Sequence, residues 1–364
     1  MFDSPIPWGE RGKGEGETER IQKIRTFLVS HFLTQSKLCY SIVKAGSSET
    51  CLALSASTMH KFKIVVIGTI NKDTIIFPNG KRTESFGGIL YNILALSYLG
   101  REGIEIYPIC NLGYDVYSQV ISHLKNCNNV ELSGIKKVDC KNNHAFLSIN
   151  ERNERAEILK NKVPPLSFSQ IKPFLRSDVI LVNFISGFDL LLVTLKKIRQ
   201  NTNALIFMDV HSLTLGIDQC GKRFFDAPKN WKEWIKQADF VQMSLPELKE
   251  LAKRNLKSQK EIRKFGKYIL NLGPKVVLVT LGKKGTLMIF DDRVRKFKGS
   301  KVKKFQDATG CGDVFSAGFL IRYLQTKSLI KSVNFANYVA GEKCKISGVD
   351  GMKKLFNKIW SVRL

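Results

Sequence analysis

The chain alternates between two hydrophobic periods. Short apolar runs of strand length recur from residue 61 onward: "KIVVIG", "IEIYPIC", "HAFLSI", "DVILVNF", "ALIFMDV", "DFVQMS" and "KVVLVTL". Between most of them lie stretches with apolar residues three and four positions apart, such as "GGILYNILALSYLG", "DVYSQVISHLK", "LLLVTLKKIRQ", "PELKELAKRN" and "EIRKFGKYILN". The first pattern predicts strands and the second helices. Strands alternating with helices predict a mainly parallel sheet with helices on both faces. No longer unit repeats along the chain. In such sheets ligands bind beyond the carboxyl ends of the strands, so motifs at strand ends and helix starts carry the most weight.

Residues 1–58 break this pattern. "PWGERGKGEGETE" is polar and glycine-rich, "IQKIRTFLVSHFL" suits a short helix, and "AGSSETCLALSAST" has no period. The opening is too polar and acidic for a secretory signal, and its glutamates argue against a transit peptide. The expectation is an appendage over 1–58, poorly ordered or an upstream extension ahead of Met59, followed by one domain over 59–364. The longest apolar stretch, "VILVNFISGFDLLLVTL", is interrupted by Asn183, Ser186, Gly187 and Asp189, so no membrane span is expected.

Composition adds three limits. Hydrophobic residues make up 43% of 364, enough for a large core. The net charge is +26, from 58 basic and 32 acidic residues. Its lysines are spread along the chain, which favours a solvated surface. Nucleic acid is not the expected partner, since neither zinc-finger spacing nor an RNA-binding signature accompanies the charge. The eight cysteines form no C-x-x-C pair and no zinc-spaced Cys/His cluster. Scattered in this way they read as reduced thiols, which points to a cytoplasmic protein.

The stretch richest in chemistry is "DATGCGDVFSAGF", residues 307–319. Gly310 and Gly312 allow close backbone approach to a ligand, and an apolar helical pattern starts just after them. The first amides of a helix lack internal partners and favour negative charge, so Gly310, Cys311 and Gly312 can cradle phosphate oxygens. Asp313 stands beside them, where a carboxylate could take a proton from an attacking hydroxyl. Alone, the same stretch also fits a tight loop before a helix. Neither a Walker-type phosphate loop nor a dinucleotide fingerprint occurs.

"DATGCGD" resembles the D-T-x-G-A-G-D signature of the ribokinase-like carbohydrate kinases, the PfkB family. Five other segments are similar to family motifs, and all six occur in family order. "VVIGTINKDTI" supplies Gly68, Asn71 and Asp73. "FGGILYNILALSYLG" supplies Gly87, Gly88, Asn92 and Gly100. "CNLGYDV" supplies Gly113 and Asp115, "VTLGKKG" supplies Thr280, Gly282 and Gly285, and "FANYVAG" supplies Ala336 and Asn337. The resemblance implies a ribokinase-like three-layer α/β sandwich with a β lid. It implies an ATP-dependent kinase that phosphorylates a small sugar, polyol or nucleoside and uses Mg2+. In that family Asp313 would be the base and Gly310, Cys311 and Gly312 the anion hole. Asn71, Asp73, Gly87, Gly88 and Asn92 would hold the acceptor, and Thr280, Gly282, Gly285 and Asn337 the nucleotide.

Several departures qualify the match. Ala308 and Cys311 replace threonine and alanine, which a cradle of main-chain amides tolerates. A thiol at a helix start is expected to be more acidic than a free one. The family's N-x-x-E magnesium motif aligns with "SLPE", so Glu247 is the implied metal residue while Ser244 stands in place of asparagine. The lid reads as one small hairpin over 74–86, turning at Asn79-Gly80. The late loop "CKISGVDG" implies a monovalent-cation site with no assignable ligands. In "DVHSLTLG", His211 reads as structural. Monomer and homodimer both stay open. Two rival readings stand beside the kinase: a non-catalytic relative that binds sugar or nucleotide, and a basic nucleic-acid-binding protein.

Overall fold

The computed structural model describes residues 61–149 and 155–361. The expectation for residues 1–58 lies outside the described residues. Alternating periods resolve into a nine-stranded sheet. In spatial order its strands are Arg293–Phe297, Thr286–Phe290, Val276–Thr280, Phe240–Ser244, Leu205–Asp209, Val179–Asn183, Phe62–Ile67, Ile104–Gly113 and Ile135–Val138. The seven strands from Val276–Thr280 onward pair in parallel, and the first two form an antiparallel edge.

Strands such as Val179–Asn183 are buried along their whole length, as a sheet covered on two faces requires. One apolar layer packs Ile64, Val66, Leu181 and Phe207 against the helices Ile89–Gly100 and Cys311–Thr326. The opposite layer packs Val65, Ile67, Ile180 and Met208 against Leu195, Leu248 and Ile269 from other helices. Strand neighbours alternate between the layers because side chains point to opposite faces.

Strand order reverses at the first strand. From Phe62–Ile67 the chain moves outward to Ile104–Gly113, and later returns to pair Val179–Asn183 on the other side. Such a reversal opens a crevice at the carboxyl ends. Gly68, Asn183 and Asp209 all stand there.

A second sheet has four strands in the order Arg82–Phe86, Lys72–Ile76, His144–Ile149, Arg155–Lys160. Its first two strands are the hairpin, whose turn places Gly80 at φ 76° and lets Asn79 Oδ1 accept from the Lys81 amide at 3.1 Å. The hairpin is only half of the layer. "HAFLSI", assigned above to the main sheet, pairs in parallel with Lys72–Ile76. The periodicity of a half-buried strand does not say which sheet it joins. Asn142 ties this layer to the main sheet. Its Oδ1 accepts from the Gly113 amide at 3.0 Å and its Nδ2 donates to the Ile70 carbonyl at 2.8 Å.

Candidate active site

The helix Cys311–Thr326 begins without a side-chain cap. Gly310 takes the N-cap position at φ 78°, a left-handed conformation that other residues adopt only under strain. A Cβ at Gly310 would also stand 2.5 Å from the Tyr91 ring. Conformation and contact together require glycine here. Asp307 shapes the approach, its Oδ1 accepting from the Thr309 amide at 2.8 Å.

Asp313, in the first turn of this helix, is 7% exposed. Its Oδ1 accepts from Asn183 Nδ2 at 2.6 Å. The same Asn183 nitrogen donates to Asn92 Oδ1 at 2.9 Å. Asn92 Nδ2 in turn donates to the Asp313 carbonyl and to Ser316 Oγ, each at 2.9 Å. Asn92 is wholly buried, and its amide ties the helix Ile89–Gly100 to the start of Cys311–Thr326.

Three carboxylates lie close enough to feel one another. Burial first, then the charges of Glu247 and Asp313, push Asp209 well above the usual carboxylate range. Burial raises Glu247 as well; hydrogen bonds from Ser244 oppose the shift, and the Asp313 charge adds to it. Gln242 Nε2 bridges Asp209 Oδ2 at 2.6 Å and the Gly312 carbonyl at 3.0 Å. Ser244 and Glu247 form a capping box on the helix Leu245–Ala252, with the Ser244 amide 2.6 Å from Glu247 Oε2. "SLPE" is therefore also a helix-start signal, which accounts for the serine.

Of the residues assigned to the acceptor, Asn71 and Asp73 follow the first strand and are buried. Asn71 Oδ1 has no protein partner. The Asp73 carboxylate lies against Gly87, where a Cβ would stand 2.0 Å from Asp73 Oδ2. Gly88 is the N-cap of Ile89–Gly100, with its helix start held by the Ile89 amide on the Thr69 carbonyl at 3.0 Å.

The residues assigned to the nucleotide come together in one cavity of about 700 Å³. Thr280, Gly282, Gly285 and Asn337 line it, and so do Cys311 and Gly312 of the glycine turn. Asn337 Oδ1 accepts from Thr286 Oγ1 at 2.8 Å, while its Nδ2 is a buried donor without a partner.

Cys311 differs from its expectation. Its Sγ lies 3.0 Å from Cys344 Sγ. The hydrogen bond it gives to Cys344, together with burial, raises the Cys311 thiol instead of lowering it. The acidic member is Cys344, drawn down to about 7 by that bond, with the Lys343 charge also favouring its thiolate. The helix-start effect loses to a direct sulfur contact.

Comparison with known proteins agrees with the fold. A family model described as pfkB family carbohydrate kinase matches residues 61–354. The chain belongs to that family. The chain is 23% identical over 297 residues to the cytidine kinase of Thermococcus kodakarensis, covering 78% of this chain and 96% of that one. Among solved structures it is similar to a pyrophosphate-dependent kinase of the ribokinase family, with TM-score 0.68, 18% identity, and coverage of 80% and 99%. Ribokinase from Thermotoga maritima follows with TM-score 0.65, 19% identity, and coverage of 83% and 99%. The fold is ribokinase-like. Among the described residues no helix is long and apolar enough to cross a membrane.

Sequence reasoning missed Asn183, Gln242 and Tyr91 as parts of the site. For Asn183 a signal was present: it is a polar break at the end of an apolar strand, where the crevice opens.

Proposed function

We propose that the kinase transfers the γ-phosphoryl group of ATP to a hydroxyl of a small polyhydroxylated acceptor, a sugar, polyol or nucleoside, with Asp313 as general base. The observation that carries this reading is the position of the glycine turn. Cys311 and Gly312 form part of the wall of the 700 Å³ cavity, and Asp313 follows them directly. A phosphoryl group resting on the Gly310–Gly312 amides would have the carboxylate beside it, and oriented amides would stabilise the migrating charge. Cavities of roughly this size hold drug-sized ligands. Pyrophosphate would fill only its end, which favours a nucleotide donor. The unpartnered Nδ2 of Asn337 is suited to an acceptor atom of the base.

The residues fit a hydrated magnesium ion better than a cage. Asp209, Glu247 and Asp313 gather three carboxyl groups at the crevice, and the raised Asp209 and Glu247 are groups whose ionised forms a cation there would favour. Among the described residues, however, no group of three side chains has metal-holding geometry. Mg2+ keeps several waters and takes one or two carboxylates plus substrate phosphates. Glu247 or Asp209 would hold such an ion through its waters, and the ion would supply charge neutralisation at the phosphates. The remaining catalysis is positioning, because phosphoryl transfer asks little covalent chemistry of the protein. Asn71 and Asp73 would receive the acceptor's hydroxyls.

The test is a phosphorylation screen across sugars, polyols and nucleosides, with ATP, GTP, ADP and pyrophosphate as donors. Asp313→Asn should keep nucleotide affinity and lose about 10³-fold or more in turnover. Near-normal turnover in that variant removes the base assignment. No transfer to any acceptor removes the kinase reading and leaves a binding role.

A further inference from the structure

Lys343 is wholly buried, which is unusual for an ammonium group. It is the last residue of the helix Leu329–Lys343. Its Nζ donates to the Ile346 carbonyl at 3.2 Å and lies 5.1 Å from the centre of the Tyr91 ring. That ring is the one packed against Gly310. Among the described residues no carboxylate lies within salt-bridge distance of Nζ. The next residue, Cys344, accepts through its carbonyl from the amides of Gln306 at 2.8 Å and Asp307 at 3.3 Å. Lys343 therefore sits behind the glycine turn, among the main-chain groups that fix the approach to it.

A buried ammonium without a carboxylate partner is costly unless its surroundings are built for positive charge. These surroundings are a carbonyl oxygen and an aromatic face, both of which attract cations. The carbonyl belongs to the loop "CKISGVDG", where a free monovalent cation was expected, and the ring reaches it from the helix Ile89–Gly100. An ammonium and a potassium ion carry the same charge and use the same carbonyl donors. A lysine reaching in from the helix makes the free ion redundant.

We propose that the Lys343 ammonium is a built-in monovalent cation. It replaces a free ion behind the Gly310–Gly312 turn and makes the kinase independent of potassium. Lys343 is a positioning residue; its charge holds the turn in shape through Tyr91 and the 344–346 main chain. The proposal rests on the donor-site reading above, and one arm of its test does not.

The experiment uses the full chain in KCl, NaCl or tetramethylammonium chloride at equal ionic strength. Two quantities are read: affinity for a non-hydrolysable ATP analogue with Mg2+, and melting temperature. Wild type should show the same values in all three salts. Lys343→Met should bind the analogue about tenfold more weakly in tetramethylammonium chloride, and KCl or ammonium chloride should restore most of the loss. Its melting temperature should rise with KCl, as for any ion that binds only the folded state. Wild type that gains affinity or stability specifically from potassium overturns the proposal. So does a Lys343→Met protein whose losses no small cation restores, since the lysine is then only structural. If wild type binds no analogue in any salt, the donor-site reading fails, and the melting arm alone decides for Lys343. If Lys343→Met does not fold in any of the salts, the cation is not replaceable and the proposal falls.

Discussion

Asn183 Nδ2 stands 2.6 Å from Asp313 Oδ1, although the two residues are 130 positions apart in the chain. Both hydrogens of that nitrogen are spent, one on Asp313 and one on Asn92. The bond fixes the carboxylate's direction. Asn183→Leu should lower turnover about 10–100-fold while leaving ATP affinity nearly unchanged, read by steady-state kinetics. Asn183→Asp would set a like charge beside the base. Its acid limb in the pH–rate profile should move to higher pH, because a like charge raises the pKa of the pair.

Gly310→Ala combines a left-handed backbone with a clash against Tyr91. It should cost about 2 kcal/mol or more in stability, measured by denaturant unfolding, and most of the turnover. Co-substitution Tyr91→Ala relieves the clash but not the backbone strain, so it should recover only part of the stability.

How much of this was legible in the sequence depends on what each residue's signal was. The layered fold follows from two periods, which are local properties. The turn at Gly310 and the helix that follows it were legible because glycines placed directly before an apolar helical period mark a helix start. Asn183 gave only a partial signal: the polar break at the end of "VILVN" marks a strand end, but its partner Asp313 is set by the fold. Gln242 was hidden for the same reason. Cys311 was misjudged because its acidity depends on Cys344, 33 residues away, and not on its own helix.

Of the two paired thiols, Cys344, near 7, should react with iodoacetamide ahead of Cys311 at neutral pH, and its rate should rise with pH through about 7. Because Cys344 lines the cavity, ATP should slow the reaction. Peptide mapping after partial modification checks both. Labelling at Cys311 first would reverse the assignment of the pair.

Asp209→Asn should stabilise the protein without nucleotide at pH 7–8. The folded pKa of Asp209 lies above its unfolded value. Its contribution to stability is therefore complete below the unfolded pKa and is lost as pH rises through the folded one. Removing the charge should raise the melting temperature at neutral pH, with the gain shrinking as pH falls toward the ordinary carboxylate range. A constant difference across pH would mean that repulsion among Asp209, Glu247 and Asp313 is not its source.

The helix Ile89–Gly100 opens at Gly88, beside Thr69, and three residues later presses Tyr91 under Gly310. One rigid rod thus touches both halves of the crevice. A change made there to admit a different acceptor would also disturb the seat of the donor. Laboratory evolution toward new acceptors should therefore collect its changes in the four-stranded layer and its loops, and leave this rod almost untouched.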